Sequence, residues 1–264
     1  MRIQILAMAL LLAACASEPK VAQPPRLAVA ESAMKAAQRA WRAEHYADAA
    51  TSWQTAFDAY RSVDHWAGQG EARLGLARAF ARQGEVAAAG NVLAGMPEQA
   101  LFPIALRGRA AYQLAVLSAR TQPDEAGRRL AQARALCASP CAIAAQLDNL
   151  EARLNLARDP ALAAARIANV LALGEALALA ERAHAHRLQA ELQLNAGAVP
   201  AARQALQQAI TLDKELADSA FLADDFALLA RIARATGDAD LLLEAQTRLA
   251  SLCAAIRVPA CREI

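Results

Sequence analysis

Apolar side chains recur with the period of an α-helix on both sides of a glycine turn near the middle of the C-terminal half. Leu188, Leu192 and Leu194 follow one face of the helix before the turn. A second apolar stripe, at intervals of three and four residues, comprises Val199, Ala202, Leu206, Ala209 and Ile210. Gly197 can adopt the left-handed conformation that ends the first helix, and Pro200 fits the first turn of the second. The segment therefore predicts a helical hairpin, in which neither amphipathic helix can bury its stripe alone.

Related hairpins are predicted along the rest of the chain. Turn positions fall at residues 44, 84, 121, 159, 197 and 237, so the spacing is 37 to 40 residues. After the turn at residue 84, for example, Val86, Ala89 and Leu93 repeat the stripe of the second helix. Each hairpin buries its apolar faces only by stacking on similar hairpins. The pattern predicts an all-α fold of six hairpins and twelve helices over residues 30–264, as one domain without β-sheet; an irregular helical bundle is the alternative.

Composition supports helices and excludes one class of partner. The chain is 56% hydrophobic but only 4% aromatic, and it contains few glycines and prolines, which favours helices over strands. Its formal net charge of +2 provides no overall attraction to nucleic acid. We therefore expect no nucleic-acid partner.

The segment Glu44–Trp53 resembles the core of the tetratricopeptide repeat. Tyr46 is followed three residues later by Ala49 and four beyond that by Trp53. Small residues also occupy the first helices, where this repeat needs close helix approach: Ala37, Ala77, Ala152, Ala190 and Ala230. The resemblance implies a right-handed α-solenoid whose first helices line a concave groove. The spacing departs from the family's period of about 34 residues, which implies longer helices or looser turns.

The amino terminus has the features of a secretory signal. Residues 1–14 contain one arginine followed by an apolar run that is too short to span a bilayer. Leu12-Ala13-Ala14-Cys15 resembles the lipobox of bacterial lipoproteins, which implies cleavage before Cys15 and its acylation. Ala16 and Ser17 follow, and in this family the absence of aspartate there implies the periplasmic side of the outer membrane. Residues 15–29 contain prolines and are expected to form an extended tether. The alternative is an ordinary secretory protein cut after Ala16.

Four further cysteines are expected to form two local disulfides. Cys137 and Cys141, like Cys253 and Cys261, place a proline between a cysteine at a helix end and a second cysteine. Stacked helices about 8–10 Å apart would separate the two pairs widely, whereas a disulfide needs Cα atoms within about 7 Å. A redox or copper-binding role of the first pair is the alternative, although no third soft ligand accompanies it.

No catalytic or cofactor-binding constellation is apparent, so we expect neither an enzyme nor a bound cofactor or metal. His184 and His186 are two residues apart on a predicted helix and point to different sides, whereas a zinc-binding helix would use positions i and i+4. Asp224 and Asp225, like Asp238 and Asp240, are interpreted as capping residues at helix starts.

The register implied by the tetratricopeptide resemblance predicts a basic inner groove. The arginines directed towards it are Arg42, Arg78, Arg82, Arg153, Arg187, Arg231 and Arg234. Planar guanidinium groups suit an acidic peptide or a terminal carboxylate. We expect these side chains to be solvated, so that changing Arg82 and Arg187 together to glutamate would abolish partner capture without unfolding the protein.

Together these features predict a non-enzymatic outer-membrane lipoprotein that acts as an interaction scaffold or assembly factor for an envelope complex. Its partner would be an envelope protein or a peptide that bears carboxylates, and the amino-terminal lipid would attach it to the membrane. The alternatives are a module that binds peptidoglycan or another saccharide, and a regulator of a cell-wall enzyme.

Overall fold

The fold is all-α in the part of the chain that the computed structural model describes, residues 24–256 and 258–262. The signal peptide and Cys15 lie outside these residues. The helices are α1 (Pro25–Arg42), α2 (Tyr46–Arg61), α3 (Trp66–Arg82), α4 (Val86–Leu93), α5 (Ile104–Ser118), α6 (Pro123–Leu136), α7 (Ala144–Asn155), α8 (Pro160–Leu171), α9 (Leu179–Asn195), α10 (Val199–Leu216), α11 (Ser219–Thr236) and α12 (Ala239–Ala255). Short 3-10 turns cover Gly174–Ala176 and Pro259–Arg262. The prediction of a helical-hairpin solenoid without β-sheet is confirmed for these residues.

All six predicted turns fall between consecutive helices. Gly84, Gly197 and Gly237 adopt positive φ angles of 81°, 75° and 69°, which glycine does without steric cost. At the first turn Glu44 takes the same conformation with φ of 59°, so the hairpin forms although the glycine of the repeat is missing there.

The first helix begins earlier than the sequence analysis predicted. Pro25 occupies the first turn of α1, where a missing N–H is harmless. Leu27, Ala30 and Met34 then form an apolar stripe that joins a buried cluster. The predicted tether of residues 15–29 therefore overlaps the first turn and a half of α1.

The described residues form two compact units, one up to Gln83 and one from Gly84 onward. The sequence predicted one domain, because the repeat pattern continues through this boundary. The helix that opens the second unit, α4, contains eight residues and so provides a shorter apolar stripe than its neighbours.

The first unit is built on a close approach of α3 to α2. Trp53 and Tyr60 of α2 are 3% and 8% exposed. Their rings lie against Gly75 and Gly68 of α3, at positions where a Cβ atom would overlap the ring. Trp53 and Tyr60 can therefore be buried here only because glycine occupies the facing positions.

Replacing Gly75 with alanine should destabilise the first unit by about 1–3 kcal/mol, since the new methyl group would displace the Trp53 indole from a packed core. Urea unfolding followed by circular dichroism would measure the change. Gly90→Ala is the matched control: a Cβ there meets no atom within 4 Å, so this variant should be neutral or more stable by up to about 1 kcal/mol. Equal stability of Gly75→Ala and the parent protein would contradict this packing account.

The second unit contains α4–α12, and its largest apolar cluster is formed by α9–α12 with the C-terminal 3-10 turn.

The two local cysteine pairs lie at disulfide distance. The Cα atoms of Cys137 and Cys141 are 5.3 Å apart, and those of Cys253 and Cys261 are 5.6 Å apart. The second pair holds the 3-10 turn against α11 and α12, where Ala260 is 3% exposed. Within the described residues, none of the helices combines the length and the hydropathy that a membrane span requires.

Candidate functional site

The first helices of the last three hairpins, α7, α9 and α11, line a cavity of about 130 Å³ in the second unit. The lining side chains are Arg153, His184, Arg187, Leu188, Glu191, Asp224, Ala227, Leu228, Arg231 and Ala260. On α9 and on α11 the contributing positions are three and four residues apart, so they share one helix face. The cavity therefore lies where the tetratricopeptide register predicted a groove, and it contains three of the seven predicted arginines.

Arg187 forms the floor of this cavity and is paired with two aspartates. Its Nε donates a hydrogen bond of 2.6 Å to Asp225 Oδ1, and its Nη2 donates to Asp213 Oδ2. Nη2 also lies 3.3 Å from the carbonyl oxygen of Phe221, as a further donor contact. The guanidinium thus ties α9 to α10 and α11.

The expectation that Arg187 is a solvated groove residue is wrong. The residue is 8% exposed, and both aspartates are fully buried. Changing it to glutamate would place a third carboxylate among two buried ones. The double change of Arg82 and Arg187 would therefore strongly destabilise the second unit and could not test recognition by itself.

Two buried carboxyl groups share one guanidinium at the floor of the cavity, and the pKa values of both are raised. Burial raises the pKa of Asp213 to about 7, against the opposing effect of Arg187, and the charge of Asp225 raises it further. Burial also raises the pKa of Asp225. Asp213 Oδ1 and Asp225 Oδ2 accept no hydrogen bond from the described protein atoms. The cluster is therefore suited to hold one proton between the two carboxyl groups near neutral pH.

The wall of the cavity carries compensated charge rather than a uniformly basic surface. Arg231 pairs with Glu191 at 3.0 Å. Burial lowers the pKa of His184 to about 3, with further lowering by the charges of Arg187 and Arg153, so this imidazole is neutral at physiological pH. Arg153 and Asp224 are exposed at the rim, and Arg153 takes part in none of the ion pairs among the described residues. The rim thus presents one cation and one anion.

The other predicted arginines lie elsewhere. Arg234 is exposed near the end of α11 and does not line the cavity. In the first unit, Arg42 Nε donates to the carbonyl oxygen of Gln38 at 3.3 Å. The guanidinium carbons of Arg78 and Arg82 lie 5.4 and 5.8 Å from the ring centre of Trp41, within the range of cation–π attraction. Both arginines therefore interact with a half-buried indole.

The sequence analysis did not identify Asp213 and Asp225 as the partners of Arg187. Asp224 and Asp225 were interpreted as caps, but the cap of α11 is Asp218, which accepts from the N–H groups of Ala220 and Phe221. Asp225 lies a further two turns into the helix. Asp213 could have been noticed, because it falls in the apolar stripe of α10, three residues after Ile210. The cap assigned to Asp238 is present, since it accepts from the N–H of Leu241.

The described residues contain no group of three or more His, Cys, Asp or Glu side chains arranged to hold a metal ion. The disulfide-distance pairing of Cys137 with Cys141 also leaves no free thiolate there for copper.

Comparison with known proteins identifies the fold. No protein-family model and no curated protein sequence matches the chain. Among solved structures, it is similar to PilW, described as a widely conserved type IV pilus biogenesis factor (TM-score 0.58, 17% identity, covering 89% of this chain and 97% of PilW). It is also similar to BtubC (BKLC) from P. vanneervenii (TM-score 0.54, 18% identity, 88% and 92% covered). Pseudomonas aeruginosa PilF is a third similar structure (TM-score 0.55, 14% identity, 91% and 98% covered). PilW and PilF are tetratricopeptide-repeat solenoids, so the chain has a tetratricopeptide-like fold.

Proposed function

We propose that this chain is a non-enzymatic interaction scaffold that binds a segment of an envelope protein in the cavity between α7, α9 and α11. The observation that supports the proposal is the convergence of side chains from three successive first helices on one cavity. The floor is held rigid by the Arg187 cluster, while Arg153 and Asp224 at the rim remain exposed. A preorganised floor with exposed polar groups at its rim is suited to binding.

The charges at the rim indicate the chemistry of the bound segment. Arg153 can pair with a side-chain or terminal carboxylate, and Asp224 can accept hydrogen bonds from N–H groups close by. A peptide offers both kinds of group, whereas a purely anionic ligand would meet Asp224 and Glu191 as well as the arginines. We therefore propose a peptide segment that bears one carboxylate, rather than a strongly acidic one.

The saccharide alternative has less support at this cavity. Sugar-binding surfaces commonly stack the ligand on an open aromatic ring, and none of the side chains that line the described cavity is Trp, Tyr or Phe. Trp41, the aromatic residue assigned to the groove from the sequence, is half-buried and has two guanidinium groups near its ring.

The proposed cellular setting is the periplasmic side of the outer membrane. It rests on the Leu12–Cys15 lipobox in the sequence and on the similarity of fold to PilW and PilF, of which PilW is described as a type IV pilus biogenesis factor. By this proposal the chain is an accessory factor for an envelope assembly, and pilus biogenesis is the first assembly to test.

The cavity proposal predicts that Arg153→Glu weakens partner binding and leaves the fold intact, since Arg153 is exposed and the described ion pairs do not include it. Loss of a charge-assisted contact and its replacement by repulsion should weaken binding at least about tenfold. In-cell crosslinking followed by affinity purification would measure capture of the partner. Arg234→Glu is the matched control, because it reverses an exposed charge on α11 outside the cavity; equal capture by both variants would contradict the proposal.

The anchor proposal predicts that Cys15→Ser yields an uncleaved precursor or a protein released from the membrane fraction. In the parent protein, mass spectrometry of the mature amino terminus should find an acylated Cys15. An unmodified mature chain that begins at Ser17 would show an ordinary secretory protein instead.

A further inference from the structure

The C-terminal 3-10 turn, Pro259–Arg262, forms part of the wall of the cavity between α7, α9 and α11. Ala260 of this turn lines the cavity and is 3% exposed. The other residues that line the described cavity belong to the three helices, so the turn is the non-helical part of its wall. The position of the turn therefore affects the size of the cavity and how far it is open to solvent.

Few non-covalent contacts hold the C-terminal turn in place. Ala260 is buried, and Ile256 and Val258, on the approach to the turn, are partly buried against the same apolar cluster. Cys261 N–H donates to the carbonyl oxygen of Val258 at 3.1 Å, but among the described residues no backbone hydrogen bond joins the turn to α9–α12. One buried methyl group offsets little of the entropy that is lost when several residues become ordered. The turn therefore needs a further restraint.

A covalent link can supply this restraint. Cys253 lies in the last turn of α12, and its Cα atom is 5.6 Å from that of Cys261, at disulfide distance. A bond between them closes a short loop that contains Ala260 and holds this residue against α11. Both cysteines are partly exposed, so a thiol from outside can reach the bond.

We propose that the Cys253–Cys261 disulfide places this wall of the cavity under redox control. In the oxidised protein the C-terminal turn completes the cavity, and in the reduced protein the turn leaves α11 and the cavity opens on that side. The consequence for binding rests on the proposed function: the oxidised form is the one that binds the partner segment. Because the competent fraction sets the apparent affinity, a wall in place for one tenth of the time weakens binding about tenfold.

The reductant that this control requires is a dithiol, such as a thiol–disulfide oxidoreductase in the cell or dithiothreitol in vitro. One of its thiolates attacks a sulfur of the disulfide, which breaks the Cys253–Cys261 bond and forms a mixed disulfide. The second thiol of the reductant then displaces the bound sulfur, so that the reductant is oxidised to its own disulfide. Two electrons and two protons pass to the protein, and both cysteines become thiols.

A photoreactive amino acid at position 224 tests the movement of the turn without any partner. Asp224 and the C-terminal turn line the same cavity, so irradiation of the purified parent protein should crosslink position 224 to the turn. Changing Cys253→Ser together with Cys261→Ser should reduce this crosslink, measured by mass spectrometry of peptides, at least about fivefold. Cys137→Ser with Cys141→Ser is the matched control, because that local pair does not line the cavity, and it should leave the crosslink unchanged.

A reversible measurement separates movement of the turn from loss of the fold. In the control variant, Cys253 and Cys261 form the one disulfide that is left among the described residues. Dithiothreitol should therefore abolish the crosslink in this variant and reoxidation should restore it, while circular dichroism shows unchanged helix content. In living cells, capture of a partner segment from position 224 should fall about tenfold in Cys253→Ser with Cys261→Ser and stay within about twofold of the parent in the control.

Three results would overturn this proposal. These are a crosslink from position 224 to the turn that persists after reduction, equal loss of the crosslink in both double variants, and undiminished capture of the partner when the crosslink is lost. A parent protein that captures no segment, although its internal crosslink follows the redox state, would contradict the proposed function and support redox control of the wall.

Discussion

Replacing Arg187 with methionine should destabilise the second unit by about 3–5 kcal/mol, which is the usual cost of removing one partner from a buried ion cluster. Methionine keeps much of the side-chain volume, so the loss would come mainly from Asp213 and Asp225, which would be left buried without the cation that they contact. Urea unfolding monitored by circular dichroism would measure the free energy. Arg231→Met is the matched control, because its pair with Glu191 is partly exposed and should contribute less than about 1 kcal/mol.

A compensated variant separates charge from packing in this experiment. Changing Arg187 to methionine together with Asp213 and Asp225 to leucine removes all three buried charges, and such replacements are often neutral or stabilising. Recovery of most of the lost stability would confirm that uncompensated carboxylates cause the defect. If the triple variant is as unstable as the single one, the arginine contributes through its packing, and the account of the cluster is wrong.

Stability should fall as the pH rises from about 6.5 to 8.5. The pKa of Asp213 is raised to about 7 in the folded protein, above its ordinary value, so the folded state binds the proton more tightly than the unfolded state. The corresponding stability is complete below the unfolded pKa and is lost as the pH rises through the folded one. The loss over this window from Asp213 is about 0.8 kcal/mol, and titration of Asp225 acts in the same direction.

The pH range of this test was chosen because, below pH 6.5, His184 makes stability fall as the pH decreases. The pKa of His184 is lowered to about 3, so protonation of this residue in the unfolded state reduces stability as the pH falls below about 6.5. In the unfolded state the imidazole is still half protonated at pH 6.5, which offsets the Asp213 effect by about 0.4 kcal/mol over the window, and it is neutral in both states above about pH 7.5. Thermal unfolding at closely spaced pH values should show a larger decline in the parent protein than in Asp213→Asn, in which Asp225 still titrates. A decline of the same size in that variant would show that other groups cause it.

The repeat pattern predicted the fold well because its signals are local. A helix stop such as Gly197 or Gly237 and the apolar stripe after it lie within about twenty residues of each other, so each hairpin could be identified alone. The local cysteine pairs could be expected for the same reason. Glu44 shows that the turn forms without glycine when the surrounding stripe is strong enough. The division after Gln83 interrupts no sequence pattern, and it could not have been predicted from periodicity.

The candidate site was predicted only in part because its electrostatics depend on distant residues. The register placed Arg153, Arg187 and Arg231 near one another, and the structure brings them to one cavity. The partners of Arg187 are 26 and 38 residues away, and only the packing of α9 on α10 and α11 reveals them. The wall formed by Ala260 likewise depends on how the 3-10 turn folds back at the carboxyl terminus.

The central claim is that the cavity between α7, α9 and α11 binds a partner peptide, and a photoreactive amino acid placed at Asp224 tests it most directly. Asp224 is exposed and lines the cavity, and crosslinked peptides identified by mass spectrometry in living cells would name the bound segment. We predict that the photoreactive residue at position 224 captures one predominant segment of an envelope protein. This capture should be lost when Arg153→Glu is added. The same photoreactive residue placed at the exposed Thr247 on α12 should not capture the segment. Capture of the same segment with equal yield from Thr247, or undiminished capture in the Arg153→Glu background, would contradict the account.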